Sequence, residues 1–194
     1  NYLIADDNVQ IMRSSLQAVC DSLVYQDSDS LFLLLDDPVV WSDSSQITGD
    51  TIKIYLANDD LDKMEVYPKA FMTNSADLTY YNQISGKRII TSFEDGKLKT
   101  MDVIGNARSL YYMLDEFKAY IGVNSTECSS IRFTFSENDI KSIKFFTSPR
   151  SQILPMRGTN HEDINLDGFN WRFSERPMTL ADLQSSLTRD LKLQ

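Results

Sequence analysis

The side chains that most often do chemistry are scarce in this chain: one histidine, His161, and two cysteines, Cys20 and Cys128. A Cys/His zinc site needs four protein ligands, or three where it is catalytic. A Ser-His-Asp triad would have to be built on His161 alone. That residue sits in the polar stretch Thr159-Asn160-His161-Glu162-Asp163 and reads as a solvated loop histidine. Carboxylates are plentiful, and Asp27-Ser28-Asp29-Ser30 and Asn58-Asp59-Asp60-Leu61-Asp62 have the oxygen-rich spacing of calcium ligands. Neither belongs to a twelve-residue loop closed by Glu, and the same residue types are what hairpin turns require. A glycosidase needs two acids placed across a cleft, whereas the acids here fall at turns. No Gly-x-Gly-x-x-Gly and no phosphate loop ending in Gly-Lys-Ser/Thr is present. The expectation is a protein with no catalytic residues, no metal and no cofactor.

Charge and length narrow the classes further. The 194 residues include 28 acidic and 19 basic side chains, a net charge of −9. Nucleic-acid binding demands clustered Lys and Arg and is therefore not expected. Hydrophobic residues make up 42% and charged residues 24%, an ordinary globular balance. The apolar run Leu31 to Leu35 falls far short of the roughly 20 residues that a membrane-spanning helix needs. The chain begins at Asn1 without a signal-like segment and reads as a processed or truncated piece.

An internal repeat organises the elements. Gln46-Ile47-Thr48-Gly49-Asp50-Thr51-Ile52-Lys53-Ile54-Tyr55-Leu56 parallels Gln83-Ile84-Ser85-Gly86-Lys87-Arg88-Ile89-Ile90-Thr91-Ser92-Phe93, then Cys128-Ser129-Ser130-Ile131-Arg132-Phe133-Thr134-Phe135 and, more weakly, Cys20-Asp21-Ser22-Leu23-Val24-Tyr25. The first strand residues, Leu23, Ile52, Ile89 and Ile131, are spaced 29, 37 and 42 apart. These are similar rungs with variable turns. In each, period-two alternation predicts one buried face. A polar turn follows, rich in Asn, Asp and Gly. Then comes a return strand: Leu61-x-x-Met64-x-Val66, Leu98-x-x-Met101-x-Val103 or Ile140-x-x-Ile143-x-Phe145. Its apolar residues stand at first, fourth and sixth positions, one residue out of strict alternation, which predicts a β-bulge at the same place three times. After these rungs, Pro149, Pro155 and Pro177 punctuate an irregular stretch. Thr179-Leu180-Ala181-Asp182 reads as a helix start, with Leu180, Leu183, Leu187 and Leu191 at helical spacing to about Lys192. Two regions result: an all-β domain over 1–148, and an extension over 149–194 ending in an amphipathic helix.

The chain resembles the OstA-like, LptA-type lipopolysaccharide transport family. The resemblance rests on Asn8-Val9-Gln10-Ile11, Ala18-Val19-Cys20-Asp21-Ser22-Leu23-Val24-Tyr25, Asp29-Ser30-Leu31-Phe32-Leu33, Pro38-Val39-Val40-Trp41, Ile47-Thr48-Gly49-Asp50 and Gly105-Asn106-Ala107. It covers about residues 1–148, and the order of these short motifs identifies it more than any one of them does. Residues 168–177 look like the extension of one Gram-negative branch of the family. The resemblance implies a folded-over antiparallel β-jellyroll, or β-taco, in the periplasm, with outer-membrane association as a further expectation. It implies lipopolysaccharide or lipid A held by its acyl chains between two sheets. It also implies other lipopolysaccharide-transport bridge proteins as partners, and head-to-tail self-association through edge strands. The extension puts the open end of the sheet in question.

The inward apolar positions are then the candidate lipid lining: Ile52, Ile54, Leu56, Met64, Val66, Ile89, Phe93, Met101, Val103, Ile131, Phe133, Phe135, Ile143 and Phe145. Burial of lipid chains is favourable by about 0.8 kcal/mol per methylene, and Met repacks readily around varied chains. The same residues would equally pack a closed core. The alternative is therefore a carbohydrate-binding or surface-structural β-sandwich, for which Tyr80-Tyr81 and Tyr111-Tyr112 offer outward rings. Lys87, Arg88, Lys97, Lys99 and Arg108 read as solvated strand ends, or as phosphate contacts at a trough rim. Cys20 and Cys128 occupy equivalent slots three rungs apart, roughly 29 Å at about 4.8 Å per strand. A disulfide needs Cα atoms within about 7 Å, so two free thiols are expected.

Overall fold

A computed structural model describes residues 2–13, 16–58, 60–95, 97–137, 139–179 and 182. Among these, fourteen strands form one antiparallel sheet: β1 Tyr2–Met12, β2 Gln17–Gln26, β3 Leu31–Leu35, β4 Val39–Ser42, β5 Ser45–Thr48, β6 Thr51–Ala57, β7 Asp60–Tyr67, β8 Ala70–Asn74, β9 Asn82–Gly86, β10 Arg88–Glu94, β11 Lys97–Leu114, β12 Tyr120–Ser136, β13 Asp139–Phe146 and β14 Arg150–Leu154. The strands are halves of longer passes. Both β3 and β4 pair with β2, β6 and β5 pair with β3 and β4, and β7 and β8 follow in turn. The same holds through β10 and β9, then β11, β12, and finally β13 and β14. Nine passes thus lie side by side in sequence order, and each is bent near its middle.

The bend has two chemistries that alternate. On odd passes the backbone enters the left-handed region at Asp7 and Asn8, Asp36 and Asp37, Lys69, Gly105 and Asn106, and Thr147 and Ser148. Asn, Asp and Gly dominate here because they tolerate that conformation best. On even passes the same line is held by the small residues Cys20, Gly49, Gly86 and Cys128. A Cβ on Gly49 would lie 2.5 Å from Val66 Cγ1, and one on Gly86 2.8 Å from Val103 Cγ1. The following amide then donates to the next pass, Asp21 N to Asp36 O at 3.0 Å, Asp50 N to Pro68 O at 3.1 Å and Lys87 N to Gly105 O at 2.9 Å. A straight fold line therefore crosses the sheet.

Folding along that line gives two facing layers. Layer one holds β3, β6, β7, β10 and β13 with the adjoining halves of β1, β2, β11 and β12; layer two holds β4, β5, β8, β9 and β14 with the other halves. One apolar cluster joins Leu23, Leu34 and Ile52 of layer one to Ala18, Val40 and Ile47 of layer two.

The three bulges stand where the apolar spacing puts them. Tyr55 faces Lys63 and Leu56 faces Leu61, leaving Asp62 unpaired; Lys99 and Lys141 are left over in the same way. Each extra residue keeps Leu61 with Met64, Leu98 with Met101, and Ile140 with Ile143 on the inner face. The preceding turns carry Asn58, Asp95 and Glu137 in left-handed conformation at equivalent positions.

The sheet runs on through β14 to Leu154, and an irregular strap follows. At its far end Thr179 and Asp182 form the expected capping box, with Thr179 N donating to Asp182 Oδ2 at 2.7 Å and Asp182 N to Thr179 Oγ1 at 3.3 Å. The helix expected beyond, with Leu180, Leu183, Leu187 and Leu191, lies outside the described residues.

Candidate functional site

The fourteen candidate lining residues fall on three inner rows of layer one, set by strand register. The first row runs Ile52, Val66, Ile89, Val103, Ile131, Phe145, each directly opposite the next. The second runs from Ile54 and Met64 through Thr91 to Met101, Phe133 and Ile143. The third holds the pairs Leu56 with Leu61, Phe93 with Leu98, and Phe135 with Ile140. Thr91, the polar member, is buried, and its hydroxyl lies 3.4 Å from Met64 O.

Burial divides the set. Ile52, Ile54, Met64, Val66, Ile89, Met101, Val103, Ile131, Phe133 and Phe135 are buried in the main cluster, and Leu56 and Phe93 pack against it. Over this length the two layers touch through side chains. Ile143 and Phe145 differ: they are 38% and 39% exposed, beside Ile140 at 45%. They lie on the same rows but on β13, which pairs only with β12 among the described residues. Apolar rows that are sealed along the body of the sheet thus open at its last pass.

Sequence reasoning missed the opposite wall. The inner row of layer two runs Ala18, Val40, Ile47, Met72, Ile84 and then Ser109, Thr126, Ser151. It is apolar at the first passes and hydroxyl-rich at the last, where Thr126 Oγ1 lies 2.7 Å from Asn124 Oδ1 and 2.9 Å from Ser151 Oγ. The half-strands that bear it are short, and their hydroxyls hide the alternation.

The strap crosses the outside of layer two, from β14 back toward β2. A glutamine recurs three residues before the small bend residue of successive even passes, and each binds the strap. Arg176 Nε and Nη2 donate to Gln17 Oε1 at 2.8 and 2.6 Å. Gln46 donates to Asn170 O at 2.6 Å and accepts from Arg172 N at 2.7 Å. Gln83 donates to Asn165 Oδ1 at 2.5 Å and accepts from Leu166 N at 2.8 Å. All three glutamines are buried. Beneath the strap lies a second apolar cluster of Phe71, Leu110, Tyr112, Val123 and Leu166.

His161 belongs to this contact and is not the solvated loop residue its neighbours suggest. Its ring is half-buried, centred 4.9 Å from Tyr80 and 5.6 Å from Tyr112, with Nδ1 3.2 Å from Tyr112 Oη and Nε2 3.1 Å from Met156 O. Burial raises the Tyr112 hydroxyl pKa. Burial, then the hydrogen bond to Asp77, pushes Tyr120 up to about 12. Tyr111 is exposed and Tyr112 buried, the two lying on opposite faces of β11.

Both cysteines are free thiols, Cys20 buried and Cys128 half-buried; burial pushes the Cys20 thiol up to about 11. Neither is a ready nucleophile at neutral pH. The basic residues expected at strand ends mostly carry ion pairs: Arg88 with Glu65, Lys97 with Glu137, Lys99 with Glu94, and Arg108 with Glu127 and Asp167. Among the described residues no group of three or more His, Cys, Asp or Glu is placed to hold a metal ion, and no helix is long and apolar enough to cross a membrane.

No family model matches the sequence, and no curated protein matches it either. Among solved structures, the chain is similar to LptH, the LptA homologous periplasmic component of the conserved lipopolysaccharide transport device from Pseudomonas aeruginosa. The two share 15% identity at a TM-score of 0.53, over 77% of this chain and 98% of that one. At that identity the likeness establishes a common fold, the folded-over antiparallel β-jellyroll.

Proposed function

We propose that this chain is an LptA-type periplasmic module that holds the acyl chains of lipopolysaccharide between its two layers and passes the lipid along a bridge of similar proteins. The observation that supports this best is the continuity of the inner rows. Positions buried at Val103, Ile131 and Met101 lead in register to the exposed Phe145 and Ile143 on β13, which has no second neighbour among the described residues. A closed sandwich has no need of uncovered aliphatics on its inner face. Acyl chains entering along β13 would meet apolar contacts on the rows of layer one and, farther in, on both layers, while the facing wall at the entrance carries the hydroxyls of Ser109, Thr126 and Ser151. The shared fold with LptH is consistent with the reading.

Incubation with lipid A, followed by gel filtration and lipid analysis, tests it. A stable complex is expected. Ile143→Asp should weaken it, because a carboxylate is strongly disfavoured against acyl chains, and its exposed position spares the fold. Phe133→Asp should weaken it further. Unchanged lipid retention by folded Ile143→Asp would overturn the reading. The packed interior of the first passes favours a second one, a carbohydrate-binding sandwich with a closed core; affinity for sugar without lipid would select it.

A further inference from the structure

The two lips of the opening between the layers differ in chemistry. One row farther from the fold line than Val40 and Ile47, the inner face of layer two carries Ser42, Ser45, Asn74, Asn82, Tyr111 and Asn124. Strand register sets Ser42 opposite Ser45, Ser45 opposite Asn74, Asn74 opposite Asn82, and Tyr111 opposite Asn124. Asn82 joins the two stretches by accepting from Tyr112 N at 2.8 Å. The corresponding row of layer one runs from Phe32 and Ile54 to Phe133 and Ile143 and holds one hydroxyl, that of Thr91. Neither row bears a charged residue, in a chain with 28 acidic and 19 basic side chains.

Water alone does not account for the difference, because both rows stand at the same opening and solvent would favour polar side chains on each. The polar row is also held in place. Asn74 Nδ2 donates to Ser44 Oγ at 2.6 Å and to Ser45 Oγ at 3.2 Å. Asn124 Nδ2 donates to Ser151 Oγ at 2.9 Å, and its Oδ1 accepts from Thr126 Oγ1 at 2.7 Å. These bonds orient the amides and leave the second N–H of Asn124 and carbonyl lone pairs for a ligand. Tyr111 is 41% exposed, and its hydroxyl has no hydrogen-bond partner among the described residues.

We propose that this row selects the headgroup of the lipid: Asn74, Tyr111 and Asn124 bind the hydroxyl and amide groups of a sugar unit whose acyl chains lie against layer one. The inference rests on the acyl-chain reading above and adds headgroup selection to it. Hydroxyls and amides need donors and acceptors together, which Asn, Ser and Tyr side chains supply. The Tyr111 ring adds a flat apolar body with a polar tip, suited to the face and edge of a sugar ring. A phospholipid headgroup offers such a row acceptor oxygens without donors, and a free fatty acid leaves the row facing water. A site built to hydrogen-bond its ligand rejects one that lacks the matching groups.

Equilibrium binding of two radiolabelled lipids tests it: lipid A, which carries an acylated sugar, and myristic acid, which carries none. Asn74→Leu combined with Tyr111→Phe should weaken lipid A binding about tenfold, the effect of two hydrogen bonds, and leave myristic acid binding unchanged. Tyr111→Phe alone removes one exposed oxygen, spares the fold and should weaken lipid A about threefold. Ile143→Asp, on the apolar row, should weaken both lipids. Unchanged lipid A affinity in the Asn74 and Tyr111 variants overturns the proposal, as does an equal loss for the two lipids. If neither lipid binds the unaltered protein, the acyl-chain reading falls and this one with it. If both bind and Ile143→Asp weakens both while the polar variants change nothing, headgroup selection alone falls.

Discussion

Glu65 shows how a single side chain is held on an outer face that looks merely polar. It is a buried carboxylate bracketed by Lys63 at 2.8 Å and by Arg88, both reaching it from the solvent side. Burial alone would raise its pKa, but the Lys63 and Arg88 hydrogen bonds outweigh that and hold it below the ordinary value of 4.5. A carboxyl whose folded pKa is depressed adds stability that is fully present above its unfolded pKa. That stability is lost as pH falls through the folded value. Glu65→Gln should therefore lower stability at pH 7. It should also flatten the decline of stability on acidification below about pH 4.5, near the unfolded value. Urea titrations at a series of pH values read both effects; parallel curves for the two proteins would show that the bracket contributes nothing.

At the scale of elements, the strap is tied down by the three buried glutamines rather than by regular structure. Gln83 satisfies Leu166 N and Asn165 at once and has no measurable exposure. Gln83→Leu fits the volume but leaves the Leu166 amide without its acceptor, at a cost of about 1–3 kcal/mol. The cost should appear as a lower urea midpoint and as faster proteolysis within residues 155–176, with β-sheet circular dichroism retained. Intact resistance to protease would mean the apolar cluster under the strap suffices without the hydrogen bonds. The strap also marks where the sequence stops being legible. The rungs could be read because a bulge leaves a countable mark, one residue out of alternation before Met64, Met101 and Ile143. The fold line showed itself in part, since Gly49, Gly86 and the two cysteines share a slot. The glutamines share a slot as well, yet a glutamine three residues from a bend looks like any polar strand residue until something is seen to cover it. His161 misled for the same reason: its sequence neighbours are polar, and its burial comes from Tyr80 and Tyr112, which are distant in the chain.

For the whole molecule, the parity of the passes constrains how copies can join. Among the described residues, nine antiparallel passes leave the first, β1, and the last, β13 with β14, running in the same direction. A head-to-tail junction, last pass against the next copy's first, would therefore pair them in parallel. Only a two-fold junction of like edges would continue the antiparallel ladder. Parallel pairing is slightly weaker per residue. It nonetheless extends the inner rows of layer one, bringing Phe145 and Ile143 of one copy toward Ala5 and Leu3 of the next, whereas two-fold pairing would set like edges against each other. Head-to-tail growth also leaves two free edges at every length, so it gives a ladder of species; two-fold pairing through one edge stops at a dimer. Light scattering over a concentration series distinguishes them. We expect mass to rise progressively beyond the dimer, and the rise to be suppressed by Ile143→Asp, which places charge on the row the junction must continue. A plateau at the dimer would assign the contact to like edges, and a constant monomer mass would show that both edges are blocked in the intact chain.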